Sequence, residues 1–192
     1  MDKFALDHYT MTQKVLSVGK KYYIKDRDGR DLFYARMEKY SLIPKELKLK
    51  QKILVYSDDT LDDEILSIVP GSLMAFNATY SVFDSRAHRC VGALKREGMH
   101  SLFRNRWSIL DAEGRLMGTA TENWLKAFIR RLIVNRKLNL EIEVEKWHVG
   151  SLTRARSIKD SYVLDLSNDH ENWFDRRLAV AFMLLLDVVE NG

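Results

Sequence analysis

The segment 177–190, RLAVAFMLLLDVVE, constrains this chain more than any other. Asp187 is the single charge between positions 178 and 189. A membrane-spanning helix needs roughly 20 apolar residues, whereas a run of about 10–14 suits a buried core helix. The segment falls in the shorter class. It is apolar around the whole helical circumference rather than along one stripe, so a helix formed from it has to be enclosed on all sides. The rest of the chain has to supply that enclosure.

Three stretches elsewhere share one pattern. Tyr22, Ile24 and Asp26 precede RDGR; Tyr80, Val82 and Asp84 precede SRAHR; Trp107, Ile109 and Asp111 precede AEGR. The period of two places the aromatic and the β-branched side chain on one face of a strand. The Asp suits a turn entry, because its carboxylate accepts from the backbone amides just ahead. Gly29 and Gly114 supply the positive φ that such turns require. A second strand-like run follows each turn: DLFYARMEK, CVGALKR and RLMGTATE. These are hairpins built to one recipe, and a degenerate repeat of hairpins indicates an antiparallel meander.

Further strands are expected at 52–56 (KILVY), 72–79 (SLMAFNAT), 102–109, 138–144 (LNLEIEV) and 161–166. The strict alternation of LNLEIEV gives it one wet face. In SDDTLDDEILSI (57–68), Thr60 followed by Asp63 forms a capping-box pattern that predicts a short helix. Pro70 and Gly71 mark a turn. Two longer helices are expected. One covers about 122–137, ENWLKAFIRRLIVNRK. The other covers about 171–190, with Asn168 or Asp169 as its cap.

A chain made mostly of strands encloses a helix by closing into an antiparallel barrel, which also removes its own edges. The fold class is therefore α+β, mainly β with helices: one domain over 1–192, a closed antiparallel β-barrel around a hydrophobic C-terminal helix. The composition agrees, with 46% hydrophobic and 30% charged residues and only two prolines and nine glycines, too few for a flexible linker. Asp187 is expected close to a barrel mouth, where water or a partner group satisfies it.

The hairpin series YSVFDSRAHRCVGALKREGMHSLFRNRWSILDAEGR, followed by YVLDLSNDHENWFDRRLAVAFMLLLDVVE, resembles the LURP-one-related and phospholipid-scramblase-like group with the tubby C-terminal-like fold. ILVYSDDTLDDEILSI is similar to an uncharacterised bacterial branch of it. The likeness runs from about Tyr22 to the end. It implies a strand barrel closed on a hydrophobic C-terminal helix. It also implies lipid headgroups held by basic surface residues, although those residues do not map one by one onto this chain. Scramblase-like relatives are linked to calcium through a segment beside the terminal helix. Here that segment is DLSNDHENWFD, with sparse acids at Asp165, Asp169 and Asp175. The segment 124–137 departs from the group, which continues with hairpins in that region.

No catalytic constellation is visible, and the chain reads as a non-enzyme. A phosphate-cradling loop, a Gly-x-Ser-x-Gly elbow and a His-Glu-x-x-His helix are all absent. His8, His88, His100, His148 and His170 show no ligand spacing, and no cofactor or metal is expected. Asp58, Asp59, Asp62, Asp63 and Glu64 could gather calcium, but they lack the spacing and central Gly of an EF-hand loop. Cys90 is the single cysteine and suits a small apolar filler; it permits a reducing compartment. MDKFALDHYT does not resemble a signal peptide, so a cytoplasmic or peripheral membrane location is expected.

The best candidate surface is the basic helix. Trp124, Leu125, Phe128, Ile129, Leu132 and Ile133 fall on one side at 100° per residue; Lys126, Arg130 and Lys137 gather on the other, with Arg131 at the flank. A helix of this kind can lie in a bilayer interface with its cations on phosphates. The same face can instead pack on the barrel wall or pair with another protein or a second copy. Trp124, Lys126, Phe128, Arg130, Arg131 and Lys137 are thus the candidate contacts to an anionic membrane surface or phospholipid. The alternative is a scaffold barrel acting as an oligomer with no lipid affinity. Lys45 to Lys52, KELKLKQK, reads as a lysine-protected edge strand. The net charge of +4 adds nothing that selects nucleic acid, which lacks a recognition motif here.

Overall fold

A computed structural model describes residues 2–14, 19–38, 52–74, 77–97, 106–122, 138–155 and 161–190. They form twelve strands and one helix. The strands are β1 (His8–Gln13), β2 (Lys21–Lys25), β3 (Asp31–Met37), β4 (Ile53–Tyr56), β5 (Glu64–Met74) and β6 (Asn77–Asp84), then β7 (Arg89–Arg96), β8 (Arg106–Leu110), β9 (Leu116–Glu122), β10 (Asn139–Val144), β11 (Trp147–Ala155) and β12 (Ser161–Asp165). The helix, α1, is Arg176–Glu190. Each strand pairs antiparallel with its neighbours in chain order, and β12 pairs with β1 to close the barrel.

The three repeated hairpins are β2–β3, β6–β7 and β8–β9. Their aromatic and β-branched residues, Tyr22, Ile24, Tyr80, Val82, Trp107 and Ile109, all point inward and are buried. Asp26 accepts from the Arg30 amide at 2.8 Å, Asp84 from the Ala87 amide at 2.9 Å, and Asp111 from the Arg115 amide at 2.8 Å. Gly29 and Gly114 have φ of 82° and 81°, as turns of this type demand.

α1 runs through the middle. It packs on β6 and β7 on one side and on β1 and β12 on the other, pairs that lie half a circuit apart in strand order. Every side chain from Leu178 to Asp187 is essentially inaccessible, at roughly 1.5–3 kcal/mol for each large apolar group buried. Phe182 meets Trp107 edge-on at 5.5 Å between ring centroids. Gly92 opens a notch for the helix: a Cβ there would sit 2.9 Å from Leu178 Cδ1 and 2.4 Å from the Leu110 carbonyl oxygen.

Several local expectations are corrected. The capping-box segment forms no helix. Asp58 takes up the amide and hydroxyl of Thr60 in a local turn, and the β-branched run after it enters β5 at Glu64. Pro70 and Gly71 lie within β5 at a register irregularity between Pro70 and Leu73, not at a turn; a bulge tolerates a proline that has no amide to donate. The segment 72–79 is the end of β5 and the start of β6 rather than one strand. The terminal helix begins at Arg176 instead of about 171, because Asp175 is its cap, accepting from the Arg177 amide at 2.8 Å. Asp169 holds the preceding turn, accepting from the amides of Trp173 and Phe174. The expected 102–109 strand is seen as β8, with 102–105 outside the described residues. β1 and β11 carry no pattern strong enough to have been expected. Glu122 belongs to β9, and the rest of the expected 122–137 helix lies outside the described residues, as does 45–51.

Candidate functional site

In an up-and-down barrel, alternate connections fall at opposite rims. α1 enters at one rim beside the turns 26–30, 57–63, 85–88, 111–115 and 145–146, and ends at the other. At the exit rim β1 ends and β2 begins, and likewise for β3 and β4, β5 and β6, β7 and β8, β9 and β10, and β11 and β12. Trp124, Lys126, Phe128, Arg130, Arg131 and Lys137 all lie outside the described residues. The strand ends that bracket them in sequence, Glu122 of β9 and Asn139 of β10, stand at the exit rim.

The two rims differ in charge. Lys14, Lys20, Lys21, Arg36, Lys52, Lys95, Arg96, Arg106 and Arg154 lie toward the exit rim. The acidic side chains described there are Glu38, Glu97, Glu122 and Asp187. Toward the entry rim the balance inverts. Asp2, Asp7, Asp26, Asp28, Asp31, Asp58, Asp59, Asp62, Asp63, Glu64, Asp84, Asp111, Glu113, Glu143, Glu145, Asp165, Asp169, Glu171 and Asp175 outnumber Lys3, Lys25, Arg27, Arg30, Arg86, Arg89, Arg115, Lys146, Arg176 and Arg177.

Charges at the entry rim are largely paired. A cavity of about 630 Å³ opens there between Asp84, Arg86, Asp175, Arg176 and Arg177. Arg86 pairs with Asp63, and Arg177 bridges Asp84 at 2.8 Å and Asp175. Arg176, nearly inaccessible, pairs with fully buried Asp169 and with Asp7. The Asp175 carboxylate raises the Arg177 guanidinium further above its usual range. Burial alone would raise the Asp84 carboxyl, but the Ala87 amide and Arg177 outweigh it and hold the group below the usual carboxylate range. Among the described residues no group of three or more His, Cys, Asp or Glu could hold a metal ion. The acidic cluster is spent on local contacts instead: Asp59 on Tyr23, Asp63 on Arg86 and Glu64 on Ser85.

At the exit rim one charge is carried deep. Asp187 is fully buried and accepts from Tyr22 Oη at 2.7 Å and from Lys20 Nζ at 3.3 Å. Lys20 also donates to the Asp187 carbonyl at 3.1 Å, satisfying a backbone acceptor of the last helical turn. The partners expected for Asp187 are thus the protein's own Tyr22 in β2 and Lys20 just before it.

Beside this contact, on the outer wall, a cavity of about 210 Å³ is lined by Lys14, Lys20, Lys21, Tyr34, Arg36, Met37, Asp59 and Leu61. The Arg36 guanidinium lies 5.4 Å from the Tyr56 ring centroid. Burial, with Tyr23 adjacent, pushes the Tyr34 phenol above its usual value, so it stays a neutral donor. This group forms no sequence motif, because its members come from two strands, β2 and β3, and from the β1–β2 and β4–β5 connections. The alternation of KKYYIK and the turn RDGR do carry the Lys21–Arg36 pairing; Lys14 depends on β1.

His148 lies between Glu141 and Asn168, at 3.0 and 3.1 Å, on exposed wall. Cys90 in β7 is half-buried and contacts the Gly92 carbonyl. Neither is set beside a nucleophile–base pair. No helix among the described residues is long and apolar enough to cross a membrane. No family model, curated protein or solved structure matches the chain.

Proposed function

We propose that the protein is a non-enzymatic barrel module that docks peripherally on an anionic membrane surface, exit rim toward the phospholipid headgroups. The separation of charge between the two rims carries this reading. A net charge of +4 spread evenly would attract little; concentrated at one end, each Lys or Arg near an anionic surface contributes about 1 kcal/mol. In sequence, Glu122 and Asn139 at that end are joined by a segment that carries Lys126, Arg130, Arg131 and Lys137 with the apolar Trp124 and Phe128. The acidic entry rim would be repelled, which orients the barrel. The resemblance to the LURP-one-related and scramblase-like group points the same way.

Co-sedimentation with neutral and anionic liposomes at low and moderate salt tests the proposal, on the wild type and on an Arg130→Glu/Arg131→Glu variant. Binding selective for anionic vesicles, weakened by salt and by the double substitution, is expected. Absence of binding to either vesicle overturns it and leaves the protein-interaction barrel.

A further inference from the structure

We infer that the outer wall of β1–β3 carries a discrete phosphate site formed by Lys14, Lys21 and Arg36. This rests on the reading of an anion-binding exit rim and narrows it from diffuse attraction to one ligand group, a phosphomonoester.

Register makes the case. The Lys14 amide donates to the Lys21 carbonyl at 2.8 Å, and Lys21 sits directly opposite Arg36. Three cations therefore stand in one row, Arg36 on β3, Lys21 on β2 and Lys14 just past the end of β1. Neighbouring strands are about 4.8 Å apart, and like charges directly opposite one another destabilise a sheet. At the entry rim the same chain sets arginines against carboxylates. Lys21 and Arg36 have no carboxylate partner among the described residues. Asp59, the one acid lining the cavity, accepts from Tyr23 Oη at 3.2 Å.

The row borders a cavity of about 210 Å³, room for several groups of water size at about 30 Å³ each. Arg36 Nε is inaccessible to water and has no hydrogen-bond partner. The guanidinium is held over Tyr56, whose Oη accepts from Arg36 at 3.4 Å, so its fork is fixed before any ligand arrives. A dianionic phosphoryl group, with three acceptor oxygens, matches a fork flanked by two ammonium groups better than a single carboxylate does. Such a group reaches the site either as a lipid headgroup or as a soluble phosphate ester.

The test measures thermal unfolding in sodium phosphate and in sodium chloride at matched ionic strength, for wild type, Lys21→Gln and Arg130→Glu/Arg131→Glu. Phosphate is expected to raise the wild-type midpoint by about 2–4 °C over chloride. Lys21→Gln should lose that increment yet unfold at a higher temperature than wild type without phosphate, because a like-charge contact is gone. Arg130→Glu/Arg131→Glu should keep the increment. A second arm compares vesicles containing phosphatidic acid with vesicles containing phosphatidylserine at equal surface charge. Preference for phosphatidic acid, lost in Lys21→Gln, assigns the site to lipid; a phosphate increment without vesicle preference assigns it to a soluble ester. Equal midpoints in phosphate and chloride, or an increment that survives Lys21→Gln, overturns the site. Anionic-vesicle binding that persists in that case leaves the membrane reading standing. A phosphate increment with no vesicle binding leaves the site and sinks the membrane reading.

Discussion

The entry rim and the exit rim of this barrel are built from the same strands, yet they treat charge in opposite ways. At the entry rim, Arg176 is buried against Asp169, Arg177 bridges Asp84 and Asp175, and turn carboxylates accept backbone amides. These contacts anchor the helix and close the hairpins. At the exit rim, Asp187 is satisfied by Tyr22 and Lys20, but Lys14, Lys21 and Arg36 are lined up with one another. Pairing of opposite charges serves the fold. A row of like charges does not. Ion pairs therefore secure the fold at one end, and the recognition site proposed above lies at the other.

The largest test of this contrast strikes the element that joins the two ends. Leu185→Asp puts an unpaired charge where accessibility is zero, and should cost more than about 4 kcal/mol. Loss of the whole near-ultraviolet circular dichroism signal is expected; a variant that keeps its barrel and only releases the helix would show that the two are separable. Next in size is Asp169→Ala at the entry rim. It removes the buried partner of Arg176, and about 3 kcal/mol should be lost in urea unfolding, the Asp7 and Leu6 contacts softening the effect. A loss below about 1 kcal/mol would mean that the entry-rim ion pairs do not secure the fold.

A smaller effect is expected from pH. Asp84 titrates below its ordinary 3.8 in the folded protein. A carboxyl lowered by folding stabilises fully above its unfolded pKa, and that stability is lost as pH falls through the lowered value. The unfolding midpoint should drop as pH is taken below about 4, and Asp84→Asn should flatten part of that drop. An unchanged pH profile in Asp84→Asn would separate Asp84 from acid sensitivity. The smallest effect, opposite in sign, is that of Lys21→Gln at the exit rim, described above. Destabilisation there as large as that of Asp169→Ala would erase the contrast between the rims.

Much of the fold is legible before any coordinates. The aromatic, β-branched, Asp pattern locates β2–β3, β6–β7 and β8–β9, because period-two burial and an Asp-gated turn are local properties. The helix at 177–190 demands enclosure from composition alone. Local rules fail where they compete. Thr60 and Asp63 satisfy a capping pattern, but the Asp58 turn and the β-branched residues after Glu64 win. β1 and β11 are set by partners on both sides rather than by their own pattern, and the hairpin turn at Glu145 and Lys146 uses positive φ without glycine.

The sequence by itself determined that the C-terminal run is a core and that hairpins surround it, since hydrophobic periodicity and turn chemistry act over a few neighbouring residues. Only the tertiary structure decided the polarity of the barrel. A net charge of +4 conceals it, because strand direction alternates and sends each strand's two ends to opposite rims. The Lys14–Lys21–Arg36 row is a product of cross-strand register, which pairs residues through hydrogen bonds between strands and has no counterpart in the order of the chain.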